Sequence, residues 1–209
     1  MEMMRVAFAD GRLKVVGIGG TLREGSTRLG ALRRALAASE DAGAEVEQLD
    51  LNDPKLPMYE PRRPPDEYGN NVRHLVDTIR EADALLISTA VYHGTLAEVT
   101  KNALDYAQFL GKEEHPYFDG KVVGLISTAG GEQAAANAAM VHTVHALRGI
   151  VAPLMVGVTR AWQRTDERGD LTDDNYGMRL DSLAGLVVEL AENLRTEEPS
   201  RVEPVGAVA

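Results

Sequence analysis

Leu13-Lys14-Val15-Val16-Gly17-Ile18 is the first clear apolar run of the chain and predicts a strand, followed by a loop over 19–26. Leu29, Leu32 and Leu36 then recur at helical spacing on one face; Ser26 or Thr27 suits the N-cap and Gly43 the stop. Residues 45–51 alternate polar and apolar as a second strand, and the proline-rich stretch over 53–65 predicts a long loop. Val72, Leu75, Val76 and Ile79 predict a helix over 71–82, and the continuous apolar run 84–88 a strand covered on both faces. A third helix is expected over 95–110, its buried stripe being Leu96, Val99, Ala103, Tyr106, Ala107 and Leu110. Residues 121–127 read as a buried strand, 134–148 as a helix, and 151–158 as a fifth strand broken by Pro153. Residues 162–174 are polar and fit no element. Leu183, Leu186, Val187, Leu190 and Leu194 mark a last helix over 175–194.

Strands and helices therefore alternate. Right-handed crossovers turn that order into a parallel sheet with helices on both faces. For five strands the expected order is 2-1-3-4-5, and a ligand belongs at the carboxyl ends of strands 1, 3 and 4, where the winding reverses.

The chain has 209 residues, of which 44% are hydrophobic. One α/β domain with a core over about 13–195 and a tail over 196–209 accounts for it. The formal net charge of −10 repels nucleic acid and anionic lipid, so neither is an expected partner. No apolar run approaches the ~18 residues that cross a bilayer, and the first ten residues do not resemble a signal peptide. The expected location is the cytoplasm. Cysteine is absent, which excludes disulfides, iron–sulfur clusters and thiolate nucleophiles. His142 and His145, three apart, fit a helix surface better than a metal site.

The unusual residues fall at the three expected strand ends. The first loop, Gly19-Gly20-Thr21-Leu22-Arg23-Glu24-Gly25-Ser26-Thr27-Arg28, carries hydroxyls, guanidinium groups and glycines between a strand and a helix N-terminus. Backbone N–H groups and the helix dipole favour an anion there, and arginines add charge-assisted donors. That is the chemistry of a phosphate monoester site; a plain glycine-rich turn with an N-cap is the bland alternative. A dinucleotide fingerprint also begins at Gly17-Ile18-Gly19, with Asp50 as ribose acid, but its third glycine would fall at Leu22.

The second loop is Ala90-Val91-Tyr92-His93-Gly94-Thr95 and runs on to Lys101-Asn102-Ala103-Leu104-Asp105. The third is Ser127-Thr128-Ala129-Gly130-Gly131. With these, the chain resembles the NADPH-dependent FMN reductase family. Gly20 to Ser26 is similar to that family's Gly-Ser-x-Arg-x-x-Ser phosphate loop, Leu56-Pro57-Met58-Tyr59 to its Leu-Pro-x-Tyr loop, and residues 90–105 to its Pro-Glu-Tyr-Asn-Gly…Leu-Lys-Asn-Ala-Ile-Asp element. The resemblance covers about 13–158. Ala90, Val91, His93 and Thr100 depart from it, standing where the family has proline, an acid, asparagine and leucine. Ala97-Glu98 replaces its Pro-Gly pair.

The resemblance implies a flavodoxin-like three-layer sandwich that holds FMN non-covalently. It implies a phosphate held by Thr21, Arg23, Ser26 and the N–H groups near Thr27 and Arg28. The ring would lie over Ala90, Val91, Tyr92, His93, Gly94 and Thr95, with Ser127, Gly130 and Gly131 at its third side. NADPH or NADH is the co-substrate, and the acceptor is free flavin, a quinone or another small molecule. A flavin-dependent monooxygenase is a candidate partner. The family's dimer uses the 95–110 helix, so a homodimer or homotetramer is expected, with Tyr106 and Phe109 as further motives. No side chain is assigned a catalytic acid, base or nucleophile, because the flavin itself accepts hydride. The rivals are a quinone or azo reductase of the same fold and a flavodoxin-type electron carrier. A phosphatase of this fold would need a cysteine in the first loop, and a receiver domain an aspartate where Ser88 and Thr89 stand.

Overall fold

The computed structural model describes residues 11–20, 29–52, 56–129 and 134–196. Its elements, in chain order, are β1 (Lys14–Gly19), α1 (Leu29–Asp41), β2 (Glu45–Asp50), α2 (Asn70–Glu81), β3 (Ala84–Tyr92), β4 (Thr95–Leu96), α3 (Glu98–Asp105), β5 (Val122–Ala129), α4 (Ala134–Ala146), β6 (Ile150–Thr159) and α5 (Asp174–Thr196). Five strands pair in parallel in the order β2-β1-β3-β5-β6, and the two-residue β4 pairs only with β3, antiparallel. Apart from that short sixth strand, this is the expected 2-1-3-4-5 order.

The central strands are mostly apolar because helices cover both faces, and their hydroxyl residues fall toward the carboxyl ends of β3 and β5. β1 is buried at every position, and β3 and β5 at nearly every one, whereas the edge strands β2 and β6 are partly exposed. One core layer joins α2, α3 and α4 to the sheet through residues such as Leu75, Ile79, Leu104 and Met140. The other joins α1 and α5 through Leu32, Leu36, Leu183 and Val187. Full burial of one such side chain contributes about 1.5–3 kcal/mol.

The differences from expectation have local causes. β3 runs to Tyr92 because Thr89 and Ala90 keep pairing with Ser127 and Thr128, past the point where the apolar run ends. Residues 95–110 are not one helix. Ala97 is extended (ψ 146°), α3 starts after it, and Tyr106–Leu110 tightens into a 3-10 turn. Pro153 does not break the fifth strand. β6 is continuous, and the register jumps from Val123↔Val151 to Leu125↔Met155, so two extra residues absorb the proline. It lies on an edge strand, where a missing N–H costs little. The last helix extends to Thr196 and buries Leu180 as well as Leu183 and Val187, while Leu194 is exposed. α1 ends at Asp41, ahead of Gly43; its N-cap candidates Ser26 and Thr27 lie outside the described residues. Among the described residues no helix is long and apolar enough to cross a membrane.

Candidate functional site

β1, β3 and β5 are adjacent, so the ends at Gly19, Tyr92 and Ala129 share one edge of the sheet. β1 is flanked there by β2 and β3, whose connections leave in opposite directions, and the cleft of such a sheet opens at that point. The direct pairing of β1 with β3 also removes the dinucleotide-fingerprint alternative, whose fold places the fourth strand beside the first. Asp50, its ribose acid, instead accepts the Asn52 N–H at 2.9 Å in a local turn.

The second loop is a hairpin. Val91 pairs with Leu96 and Tyr92 with Thr95, which leaves His93 and Gly94 as a two-residue tip with φ of 50° and 78°. Positive φ at both positions defines a type I′ turn, which Asn-Gly fits best. The family's asparagine therefore has a conformational reason, and His93 holds the same turn at some cost. Ala90 is buried, Val91 half-buried, and His93, Gly94 and Thr95 are exposed. Tyr92 is 50% exposed, so it does not pack into the core.

Beneath the hairpin, buried hydroxyls replace apolar packing. Thr89 Oγ1 accepts the Ala97 N–H at 3.0 Å and donates to Thr100 Oγ1 at 3.0 Å. Thr100, where the family has leucine, thus keeps its hydroxyl satisfied by a partner at the end of β3. On α3, the buried Asn102 donates from Nδ2 to the Pro57 carbonyl at 2.8 Å and accepts the Tyr59 N–H at 2.8 Å. Tyr106 donates its hydroxyl to the same carbonyl at 2.9 Å. Burial pushes the Tyr106 hydroxyl up to about 12. Tyr59, Tyr68, Tyr106 and Phe109 meet edge to face or tilted, with centroids 5.2–5.9 Å apart. Leu56 to Tyr59 is therefore latched onto α3. Tyr106 is wholly inside the chain, so it cannot serve a subunit interface as expected; Phe109 is half-buried. Lys101 and Asp105 form a surface ion pair one turn apart, at 2.5 Å.

At the third strand end, Ser127 is fully buried and its Oγ has no hydrogen-bond partner among the described residues. It alternates with Val123 and Leu125, so it faces the α2–α4 layer. Asn137 Oδ1, in the first turns of α4, is likewise buried and unpartnered. Leaving such a group unsatisfied costs about 1–3 kcal/mol. A ligand with polar atoms along one edge, as a flavin has, fits a strand end that keeps a hydroxyl in reserve.

Residues 160–173, unassigned in the sequence, have a definite structure. Ala161–Gln163 is a 3-10 turn and Thr165 bridges Leu171 across a tight turn, where Asp166 Oδ1 accepts the N–H groups of Arg168 and Asp170. Arg164 donates to the Thr159 carbonyl at 2.8 Å and pairs with Asp173. Asp173 is held below the usual carboxylate range by the Tyr176 N–H and by the Arg164 guanidinium. Arg33 on α1 binds Asp170 at 2.6 Å. Gly30 lies so close that a Cβ there would run into the Gly169 carbonyl and the Leu171 amide. This segment braces the first turn of α1, the helix that the first loop enters.

Of the expected site residues, the structure brings Ala90, Val91, Tyr92, His93, Gly94, Thr95 and Ser127 to the carboxyl edge. Thr21, Arg23, Ser26, Thr27, Arg28, Gly130 and Gly131 lie outside the described residues. Asn102, Thr89 and Gly30 were not singled out, and Tyr106 was named only for the buried stripe and the interface. Asn102 sits inside the Lys-Asn-Ala-Leu-Asp motif, a signal that existed; Gly30 had none, because its partner is 139 positions further on. His142 and His145 are exposed on α4.

A parallel sheet in this order, with the three loops at the winding reversal, defines a flavodoxin-like α/β protein. The sequence profile of the NADPH-dependent FMN reductase family matches residues 13–163, and the chain belongs to that family. It is 32% identical over 166 residues to an NAD(P)H-dependent FMN reductase of Pseudomonas aeruginosa, covering 78% of this chain and 86% of that one. It is 28% identical over 131 residues to an FMN-dependent NADPH-azoreductase of Staphylococcus aureus, covering 61% and 66%. Among solved structures, a flavoenzyme NAD(P)H:(acceptor) oxidoreductase from Paracoccus denitrificans superposes with a TM-score of 0.68 at 22% identity, over 87% of this chain and 98% of that one.

Proposed function

We propose that the carboxyl edge of β1, β3 and β5 is where this NAD(P)H-dependent FMN reductase holds its flavin and passes electrons to a small-molecule acceptor in the cytoplasm. The observation that supports this is the junction of three adjacent strand ends, one of them with an orphaned buried hydroxyl at Ser127. When bound, FMN supplies the hydride chemistry, taking it from the nicotinamide nucleotide and yielding it to the acceptor. The chain's own residues bind and orient. Thr21, Arg23, Ser26, Thr27 and Arg28 would take the phosphate, the 90–95 hairpin would floor the ring, and Ser127 with Gly130 and Gly131 would meet its polar edge. Asn102 and Tyr106 fix the 56–59 loop. A homodimer or homotetramer built through residues 95–110 is part of the proposal, supported by family resemblance. A flavin-dependent monooxygenase is the partner proposed if free flavin is the acceptor.

Arg23→Ala tests the assignment. Loss of one guanidinium–phosphate contact removes about 1.5–3 kcal/mol, so FMN affinity should fall roughly 10- to 150-fold. Riboflavin, lacking the phosphate, should bind as before. A fall of less than about twofold for FMN, or an equal fall for riboflavin, excludes Arg23 as the phosphate ligand.

A quinone or azo reductase is the second reading, favoured by the likeness to the S. aureus azoreductase. Relative turnover of FMN, menadione and an azo dye by one preparation separates the two.

A further inference from the structure

Residues 160–173 use most of their charged groups on themselves and on α1. Arg164 is spent on Asp173 and the Thr159 carbonyl, and Asp170 on Arg33. Glu167 and Arg168 are exposed at the far tip of the segment, whereas Arg160 and Trp162 directly follow β6, at the carboxyl edge of the sheet.

Arg160 is held in the left-handed region (φ 48°, ψ 47°), and its N–H donates to the Ala129 carbonyl at 2.7 Å. It therefore borders the point where the third loop leaves β5. Non-glycine residues held in that conformation cluster at binding sites. Its side chain is exposed and has no hydrogen-bond or ion-pair partner among the described residues. On a chain with net charge −10, an anion needs such a locally free cation.

Trp162 is the chain's only tryptophan and is 59% exposed. It does not hang from a loose loop. Ala161 is buried in the core, the Gln163 N–H bonds the Arg160 carbonyl at 2.9 Å, and the Arg164 N–H bonds the Ala161 carbonyl at 3.0 Å. A fixed turn thus carries an indole and a free guanidinium two residues apart.

We propose that Arg160 and Trp162 form the site for the adenosine-phosphate half of the nicotinamide nucleotide, the guanidinium taking a phosphate and the indole face stacking on the adenine. The inference rests on the flavin lying at the carboxyl edge of β1, β3 and β5. β6 is one strand further out than β5, a step of about 4.8 Å. A group there stands aside from the reacting ring, where the other half of a dinucleotide extends. A fork-shaped cation that donates to phosphate and an aromatic face that stacks on a purine are the two groups that a phosphorylated purine nucleoside needs.

Tryptophan fluorescence reports on this site alone. FMN-loaded protein is titrated with 2′,5′-ADP and with 5′-ADP while the emission is followed, and both are tested as inhibitors against NADPH. At least one should quench saturably and compete with NADPH. Stronger action by 2′,5′-ADP assigns the 2′-phosphate to Arg160; equal action assigns the phosphate that both share. Arg160→Ala should weaken inhibition about tenfold or more and raise KM for NADPH with kcat unchanged. Trp162→Leu should weaken inhibition likewise, and Arg168→Ala, on the same segment, should leave it unchanged. FMN affinity should stay at the wild-type value throughout. Normal FMN binding with unchanged inhibition in Arg160→Ala and Trp162→Leu overturns the proposal, as does equal loss in Arg168→Ala. Emission that follows protein concentration and ignores nucleotide overturns it too, and makes Trp162 a contact between copies. Failure of the wild type to bind FMN removes the flavin assignment, and the proposal with it.

Discussion

Residues 56–59 and 160–173 flank the same edge of the sheet, one following β2 and the other following β6. The first are held by neutral groups inside the core: the Asn102 carboxamide and the Tyr106 hydroxyl on the backbone of Pro57 and Tyr59. The second are held by ions near water: Arg33 with Asp170 and Arg164 with Asp173, all partly exposed. Buried neutral bonds lose much when one partner goes, because the other is stranded without water. Exposed pairs contribute little each and are screened by salt. The comparison separates a latch that should fail all at once from a brace that should loosen by degrees.

Asn102→Ala should break the latch. It strands the Tyr59 N–H and removes a donor from the Pro57 carbonyl, so a loss of about 2–4 kcal/mol is expected in urea unfolding. A loss below about 0.5 kcal/mol would mean that water replaces the side chain freely.

Gly30→Ala tests the brace where it is steric rather than ionic. The new methyl meets backbone at 169–171, which cannot swing away like a side chain, so about 1–3 kcal/mol should be lost. Asp170→Ala should cost less than about 1 kcal/mol, since it removes only an exposed pair.

The pH responses should also diverge. Asp173 is depressed by the Tyr176 N–H and Arg164, so its contribution is complete above the ordinary carboxylate range and is lost as pH falls through the lowered value. Asp173→Asn should flatten the acid side of the stability profile. Tyr106 is raised, so its contribution holds below its ordinary value of 10.0 and is lost as pH rises toward about 12. Tyr106→Phe should flatten the alkaline side only. The same acid slope in wild type and Asp173→Asn would show that the brace does not sense pH through this carboxylate.

The smallest effect is expected between the two regions, at the hairpin tip. His93→Asn should raise stability by about 0.5–1 kcal/mol, because asparagine tolerates the left-handed conformation better. A loss of stability would mean that the imidazole makes a contact worth more than the turn strain.

The alternation of strands and helices, the 2-1-3-4-5 order and the three adjacent strand ends were legible in residues 13–158. They follow from apolar periodicity and from the handedness of crossovers, which are properties of consecutive residues. Ala90 to Thr95 and Ser127 were legible as strand-end residues for the same reason: they sit where one periodic pattern gives way to the next. The extent of β3, the split of 95–110 and the continuity of β6 past Pro153 were not. Each is decided by a partner strand or by a hydroxyl such as Thr89, remote in sequence.

Tertiary structure alone decided what each motif residue touches. Asn102 could be read as a helix-face polar group until the fold brought Pro57 and Tyr59 to it, 45 and 43 residues away. Tyr106 read both as part of a buried stripe and as an interface aromatic; the structure makes it core, because three other rings close around it. Gly30 carried no local signal, since its constraint is the approach of two backbones distant in sequence, and residues 160–173 follow no apolar periodicity. Periodicity records how one element meets water and core; it does not record which loop will cross which helix, and that crossing assigned the latch and the brace and left Arg160 and Trp162 exposed just after β6.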